Sequence, residues 1–92
     1  MAKKLLININ MFRVNQDVYE IDGDHANYLA SLPLDEVSRA VYAFGNGDIE
    51  EVEVDGNTDF IQKIGYEIID ELNKYYSDRN VRVKLNGEIF NQ

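Results

Sequence analysis

The sequence predicts an α/β fold of the α+β kind. The expected form is a two-layer sandwich in the order ββαβαβ, with two helices mainly on one face of a mixed four-stranded sheet. Three observations predict it. Apolar and polar residues alternate over residues 3–13, 49–54 and 81–85, the period of a strand with one buried face. Between these stretches the apolar spacing lengthens to that of a helix. The strands alternate rather than run continuously apolar, so at least half of the sheet is covered on one side only.

Taken in order, Leu5, Ile7, Ile9 and Met11 face one way along the first strand, and Leu6, Asn8, Asn10 and Phe12 the other. "VNQD" (14–17) is polar enough to turn the chain, and "VYEID" (18–22) returns as a hairpin partner, ended by Gly23. "DHANYLASLP" (24–33) reads as irregular. Pro33 closes it and is suited to begin a helix. Leu34, Val37, Ala40, Val41 and Phe44 then sit at helical spacing, and "GNG" (45–47) supplies a stop. "IEEVEV" (49–54) is the third strand and "DGN" (55–57) a turn. Asn57 or Thr58 can cap the second helix, with Asp59 in its first turn. That helix carries Phe60, Ile61, Ile64, Ile68, Leu72 and Tyr75 and runs to about Tyr76. "VRVKL" (81–85) is the fourth strand, and the tail "NGEIFNQ" is either a short hairpin edge or a frayed end. Third strand, second helix and fourth strand form a βαβ unit, for which parallel strands and a right-handed crossover are expected.

Ninety-two residues, 45% of them hydrophobic, suit one domain over 1–92. There is no cysteine, so disulfides and thiolate chemistry are excluded, as fits a reducing cytoplasm. "MAKKLLININMF" loosely mimics a signal peptide, but Asn8 and Asn10 interrupt its short apolar run and no small-residue cleavage site follows; it reads as a strand. No stretch approaches the ~18 apolar residues of a membrane span. The net charge of −8 argues against direct nucleic-acid binding, which Lys and Arg drive. Between Val14 and Gln62 there are twelve acidic residues and one basic, Arg39, whereas the two ends together carry eight basic and five acidic. An acidic middle is thus held between more basic ends.

Several residue groups could carry chemistry. "EIDGDHANY" (20–28) holds the single histidine, His25, beside Asp22 and Asp24. It fails as an EF-hand, because Ala26 and Asn27 occupy positions that need a ligand and a glycine. Asp-Gly is an ordinary turn dipeptide, so a polar turn is expected and no metal. In "GDIEEVEVDGNTD" (47–59), Glu51 and Glu53 can pair with Arg82 and Lys84 across neighbouring strands, at about 0.2–1 kcal/mol each. Asp48, Glu50, Asp55 and Asp59 are left over and point to an acidic patch. The order of hairpin, helix, strand, helix and strand resembles a shortened ribonuclease H-like sheet, an analogy of fold only. A metal-dependent nuclease of that type needs a carboxylate on the first strand, where this chain has Asn8 and Asn10. Ser31, Ser38 and Ser77 lack a nucleophile-elbow context, and no phosphate loop precedes a helix. No catalytic residue, cofactor or enzymatic activity is expected. The apolar arc of the second helix covers roughly half its circumference, with Ile69 and Tyr76 at one margin and Tyr66 alone among polar neighbours. Either the first helix packs on that margin, or it is a surface for self-association. Leu6 and Phe12 on the open sheet face raise the same question.

The second half, "DIEEVEVDGNTDFIQKIGYEIIDELNKYYSDRNVRVKLNG", is similar to small uncharacterised accessory proteins of Gram-positive phages and integrative elements. The likeness spans roughly residues 48–87: a strand, a "GN" turn, a long helix and a final "V-x-V" strand. It implies a mobile-element accessory or counter-defence protein in the bacterial cytoplasm, and no catalytic residues. The expected function is a non-enzymatic, acidic interaction protein that binds a basic, nucleic-acid-handling bacterial protein, with Asp22, Asp24, Glu50, Asp55 and Asp59 as contacts. The alternative is a structural or assembly module, a homodimer or complex subunit held through Ile69, Tyr76 and Tyr66 of the second helix.

Overall fold

The computed structural model describes residues 3–10, 12–44, 49–56, 59–76 and 81–89. The strands are β1 (Lys3–Asn8), β2 (Asn15–Asp22), β3 (His25–Pro33), β4 (Ile49–Asp55), β5 (Arg82–Leu85) and β6 (Glu88–Ile89). A 3-10 turn over Leu34–Glu36 leads into α1 (Val37–Phe44), and α2 spans Asp59–Tyr76. One mixed sheet runs in the order β3-β2-β1-β4-β5-β6. β1, β2 and β3 form an antiparallel meander, β1, β4 and β5 are mutually parallel, and β6 folds back antiparallel on β5.

The helices and the single-sided strands are where the sequence places them. Leu5, Ile7, Ile9, Val18, Val52, Val54, Val83 and Leu85 form the sheet's contribution to the core. Val37 and Val41 of α1, with Ile68, Ile69, Leu72 and Tyr76 of α2, close over them. Glu51, Glu53, Arg82 and Lys84 have the opposite parity and lie on the face without helices. Gly65 lets α2 approach β5: a Cβ there would lie 2.7 Å from Leu85 Cδ1.

The expectation of four strands is corrected to six among the described residues, and the order ββαβαβ gains a strand after the first hairpin and another at the end. "HANYLASLP" is a nine-residue strand, not an irregular segment. Its residues alternate too weakly to be read, because the helices leave its first five residues exposed and no burial pattern was imposed on them. The polar turn expected at "DGDH" is the two-residue connection between β2 and β3. Asp22 pairs with His25, and Gly23 takes φ +61°, as the first central position of a type II′ turn requires. The tail resolves to a hairpin edge: Asn86 and Gly87 both have positive φ, 47° and 89°, the signature of a type I′ turn, and Leu85 pairs with Glu88.

β1 is also shorter than the alternation suggests, and β2 starts earlier. The Asn10 side chain accepts a hydrogen bond from the Phe12 N–H at 2.9 Å, bending the chain locally. The Asn10 N–H donates to Gln16 Oε1 at 2.6 Å, and Gln16 Nε2 donates to the Arg13 carbonyl at 3.2 Å. Gln16 is buried because it satisfies this turn. The "GNG" stop, the Asn57 or Thr58 cap and Met11 lie outside the described residues. Among the described residues no helix is long and apolar enough to cross a membrane.

Candidate functional site

The fold does not gather the five acidic residues expected to form one contact patch: Asp22 and Glu50 lie at the same end of the sheet with β1 between them, and Asp55 lies at the other end of β4. Asp22 and Asp24 sit at the tip of the β2–β3 hairpin. Glu50 lies near the start of β4 and Asp55 at its end. Five residues of strand hold these two about 17 Å apart. Glu50 is within 3.6 Å of Arg82 and is partly neutralised. Asp55 is only half-exposed. Burial pushes its carboxyl above the usual range, the charge and hydrogen bond of Glu53 push the same way, and Lys4 opposes them. Asp59 opens α2, and its side chain lies outside the described residues.

Glu51 occupies the centre of the open face. Its neighbours in register are Lys4 on β1 and Arg82 on β5. Its carboxylate is 3.0 Å from Lys4 Nζ and 3.4 Å from both Arg82 Nε and Lys84 Nζ. Lys4 also reaches Glu53 at 3.5 Å. Glu51 therefore pairs with Arg82 and Lys84 as expected and with Lys4 besides, whereas Glu53, opposite Lys84 in register, has its ion pair among the described residues with Lys4. Glu51 is 3% exposed although no helix covers it, because the long basic side chains lie across it. Burial would raise its carboxyl, but the hydrogen bond from Lys4 and the charges of Lys4 and Lys84 outweigh that and hold it below the usual range. This cluster is internally compensated and offers little free charge to a partner.

The apolar margin of α2 is not a surface. Ile69 is 2% exposed and Tyr76 1%, so both are core residues, which corrects their assignment to self-association. α1 packs on this margin: Tyr76 Oη donates to the Val41 carbonyl at 3.4 Å. Tyr42 stacks on Tyr75 at 5.0 Å between ring centroids and meets Tyr76 edge-on at 5.3 Å. Tyr66 alone of the three is exposed. Phe12 and Val14 are exposed in the loop after β1.

A different feature emerges on the helical layer. The 3-10 turn and α2 enclose a cleft of about 370 Å³ lined by Leu34, Asp35, Ile64, Glu67, Ile68 and Glu71. Leu34 and Ile64 are half-buried and Ile68 buried, so the floor is apolar. Asp35, Glu67 and Glu71 are exposed along its rim, and none of the three forms an ion pair with another described residue. Glu67 and Glu71 stand one helical turn apart, an arrangement that costs a helix about 0.2–0.5 kcal/mol. Sequence reasoning missed this site. A weak signal was present: Glu67 and Glu71 share a helix face with Ile64, and Asp35 and Glu36 follow Pro33 in the first turn of the next helix. What brings Leu34 to Ile64 is the packing of α1 on α2, which no local pattern encodes.

Among the described residues no group of three or more histidine or carboxylate side chains converges as a metal would require. Asn8 stands beside Asp55 in register, where the ribonuclease H analogy would want a first-strand carboxylate. No protein-family model matches this chain, and no curated protein sequence matches it.

Proposed function

We propose that this protein is a non-enzymatic binding protein that seats a basic, amphipathic segment of a bacterial partner in the cleft between the 3-10 turn and α2. The observation that carries the reading is the pairing of an apolar floor, Leu34, Ile64 and Ile68, with an acidic rim, Asp35, Glu67 and Glu71, none of which forms an ion pair with another described residue. Apolar side chains of the segment fill the floor, and its Lys or Arg residues meet the rim, relieving the repulsion between Glu67 and Glu71. The chain's net charge of −8 steers such a partner towards it. A nucleic-acid-handling protein fits, since its phosphate-binding surface supplies clustered basic residues. The mobile-element and counter-defence context belongs to the same proposal and rests on the likeness of residues 48–87. The contact residues thereby move from the strand and hairpin acids to the helical layer.

The test is a titration with a synthetic amphipathic helix of leucine and lysine, followed by amide chemical shifts of the labelled protein. Shifts should concentrate at residues 34–36 and 64–71. The double variant Glu67→Lys, Glu71→Lys should weaken binding by at least about tenfold at low salt, and added salt should weaken the wild type in the same direction. Unchanged affinity in the double variant, or shifts confined to the open sheet face, would sink the proposal.

A further inference from the structure

We infer that the cleft between the 3-10 turn and α2 is also a site for a free aliphatic polyamine, a methylene chain carrying two or more ammonium groups, which displaces the basic segment proposed above. Displacement rests on that proposed function; occupancy of the cleft by the amine does not. At about 370 Å³ the cleft lies at the lower end of the range for small-molecule pockets. It has room for a whole small ligand but for only a few side chains of a helix. Its lining has the matching composition, an apolar floor of Leu34, Ile64 and Ile68 with a few polar groups around it, Asp35, Glu67 and Glu71.

The chemistry of the ligand follows by elimination. An anion would meet the carboxylates of the rim in a chain carrying −8. A neutral molecule would fill the floor and leave the repulsion between Glu67 and Glu71 in place. A bare divalent cation needs several oxygen ligands converging at about 2.0–2.6 Å. Among the described residues no three carboxylate or histidine side chains converge in that way, and the ion would gain nothing from the floor. One ammonium group cannot serve both sides of the cleft, since Asp35 comes from the 3-10 turn and Glu67 and Glu71 from α2. Several ammonium groups on a flexible aliphatic chain meet every condition. Glu67 and Glu71 are four residues apart on the helix, about 6 Å along its axis. Three or four methylenes between two ammonium groups span roughly one helical turn, about the same distance. The methylenes lie on Leu34, Ile64 and Ile68, as the stem of a lysine lies on apolar surface while its ammonium group stays in water. The acids are solvent-exposed, so the affinity is modest and falls with salt.

Titration of the labelled protein with spermidine at fixed ionic strength, followed by amide chemical shifts, tests it. Shifts should centre on residues 34–36 and 64–71, and magnesium chloride at equal ionic strength should not reproduce them. Glu67→Gln with Glu71→Gln removes two exposed charges and should raise the Kd at least about threefold. Asp22→Asn with Asp24→Asn changes the net charge equally, but at the hairpin tip, the length of β3 from Leu34 or about 25–30 Å, and should leave the Kd unchanged. Spermidine should also raise the apparent Kd of the leucine–lysine helix. Equal loss in both double variants, equal shifts with magnesium, or shifts spread over the whole acidic surface would overturn the inference. Peptide binding with no response to spermidine would overturn it and leave the proposed function standing. A response to spermidine in the cleft with no peptide binding would sustain occupancy by the amine and remove the proposed function.

Discussion

Glu51 shows how a carboxylate becomes buried on a face that no helix covers. Three basic side chains converge on it from β1 and β5, and they shield it from water as well as pairing with it. Removing the carboxylate leaves those cations without their common partner. Glu51→Ala should therefore cost about 1–2 kcal/mol in denaturant unfolding, more than an isolated exposed pair and less than a pair deep in a core. Its pH dependence has a definite sign. The folded pKa of Glu51 lies below the ordinary value of 4.5, so its contribution is complete above that value and is lost as pH falls through the folded pKa. Lys4, held above 10.5 chiefly by its hydrogen bond to Glu51, contributes fully below that value and less as pH rises through its folded pKa. Asp55 behaves oppositely to Glu51. Its folded pKa is raised above 3.8, so its charge is a burden at neutral pH, relieved as pH falls through the folded pKa. Asp55→Asn should leave stability at neutral pH equal or higher, and should steepen the net loss on acidification. A flatter acid limb in Asp55→Asn would contradict that assignment.

At the scale of the element, α2 is wide in its apolar arc because it meets two surfaces, the sheet below and α1 beside it. Counting apolar residues around the wheel registered the surplus but not its use. Ile69 and Tyr76 were legible as margin residues, yet only the position of α1 shows that the margin is covered. Leu72 of α2 is fully buried in the core, and Leu72→Ala should cost about 2–5 kcal/mol. Tyr76→Phe removes the hydroxyl that donates to Val41 while preserving the rings packed with Tyr42, so a loss of about 0.5–1.5 kcal/mol is expected. Thermal or denaturant unfolding distinguishes the two by magnitude. The cleft depends on the same contact, since Leu34 and Ile64 belong to the two segments that α1 and α2 hold together. Tyr76→Phe should therefore weaken peptide binding less than the charge reversal on its rim.

For the whole molecule, the arrangement of charge matters more than its total. The open face carries acids and bases in register, whereas on the helical layer Asp35, Glu67 and Glu71 form no ion pair with another described residue. Salt should act on these two layers with opposite signs, weakening the ion-pair cluster and relieving the repulsion on the helices. Glu51 is shielded by the side chains over it and is screened less than the exposed helical acids. Moderate salt should therefore raise the Tm of the wild type, and raise it less once Glu67 and Glu71 are changed to Lys. A Tm that falls with salt in the wild type would show that the open-face pairs dominate.

By itself the sequence determined those elements that bury one face. Val52 and Val54 alternate with Glu51 and Glu53 because a helix covers one side of β4, and the spacing of Val37 and Val41 reflects burial of one face of α1. Burial imposes a period, and the period is readable. β3 was illegible for the same reason: over His25–Leu29 neither face is buried, so no period is imposed. The hairpins were readable in part, since Asp-Gly and Asn-Gly mark turns through the backbone freedom they permit. Tertiary structure alone decided the rest. Strand order placed Lys4 on one side of Glu51 and Arg82 on the other, and helix packing set Asp35 against Glu67 and Glu71. These are relations between residues far apart in the chain, fixed by how the layers close over one core and not by any local pattern.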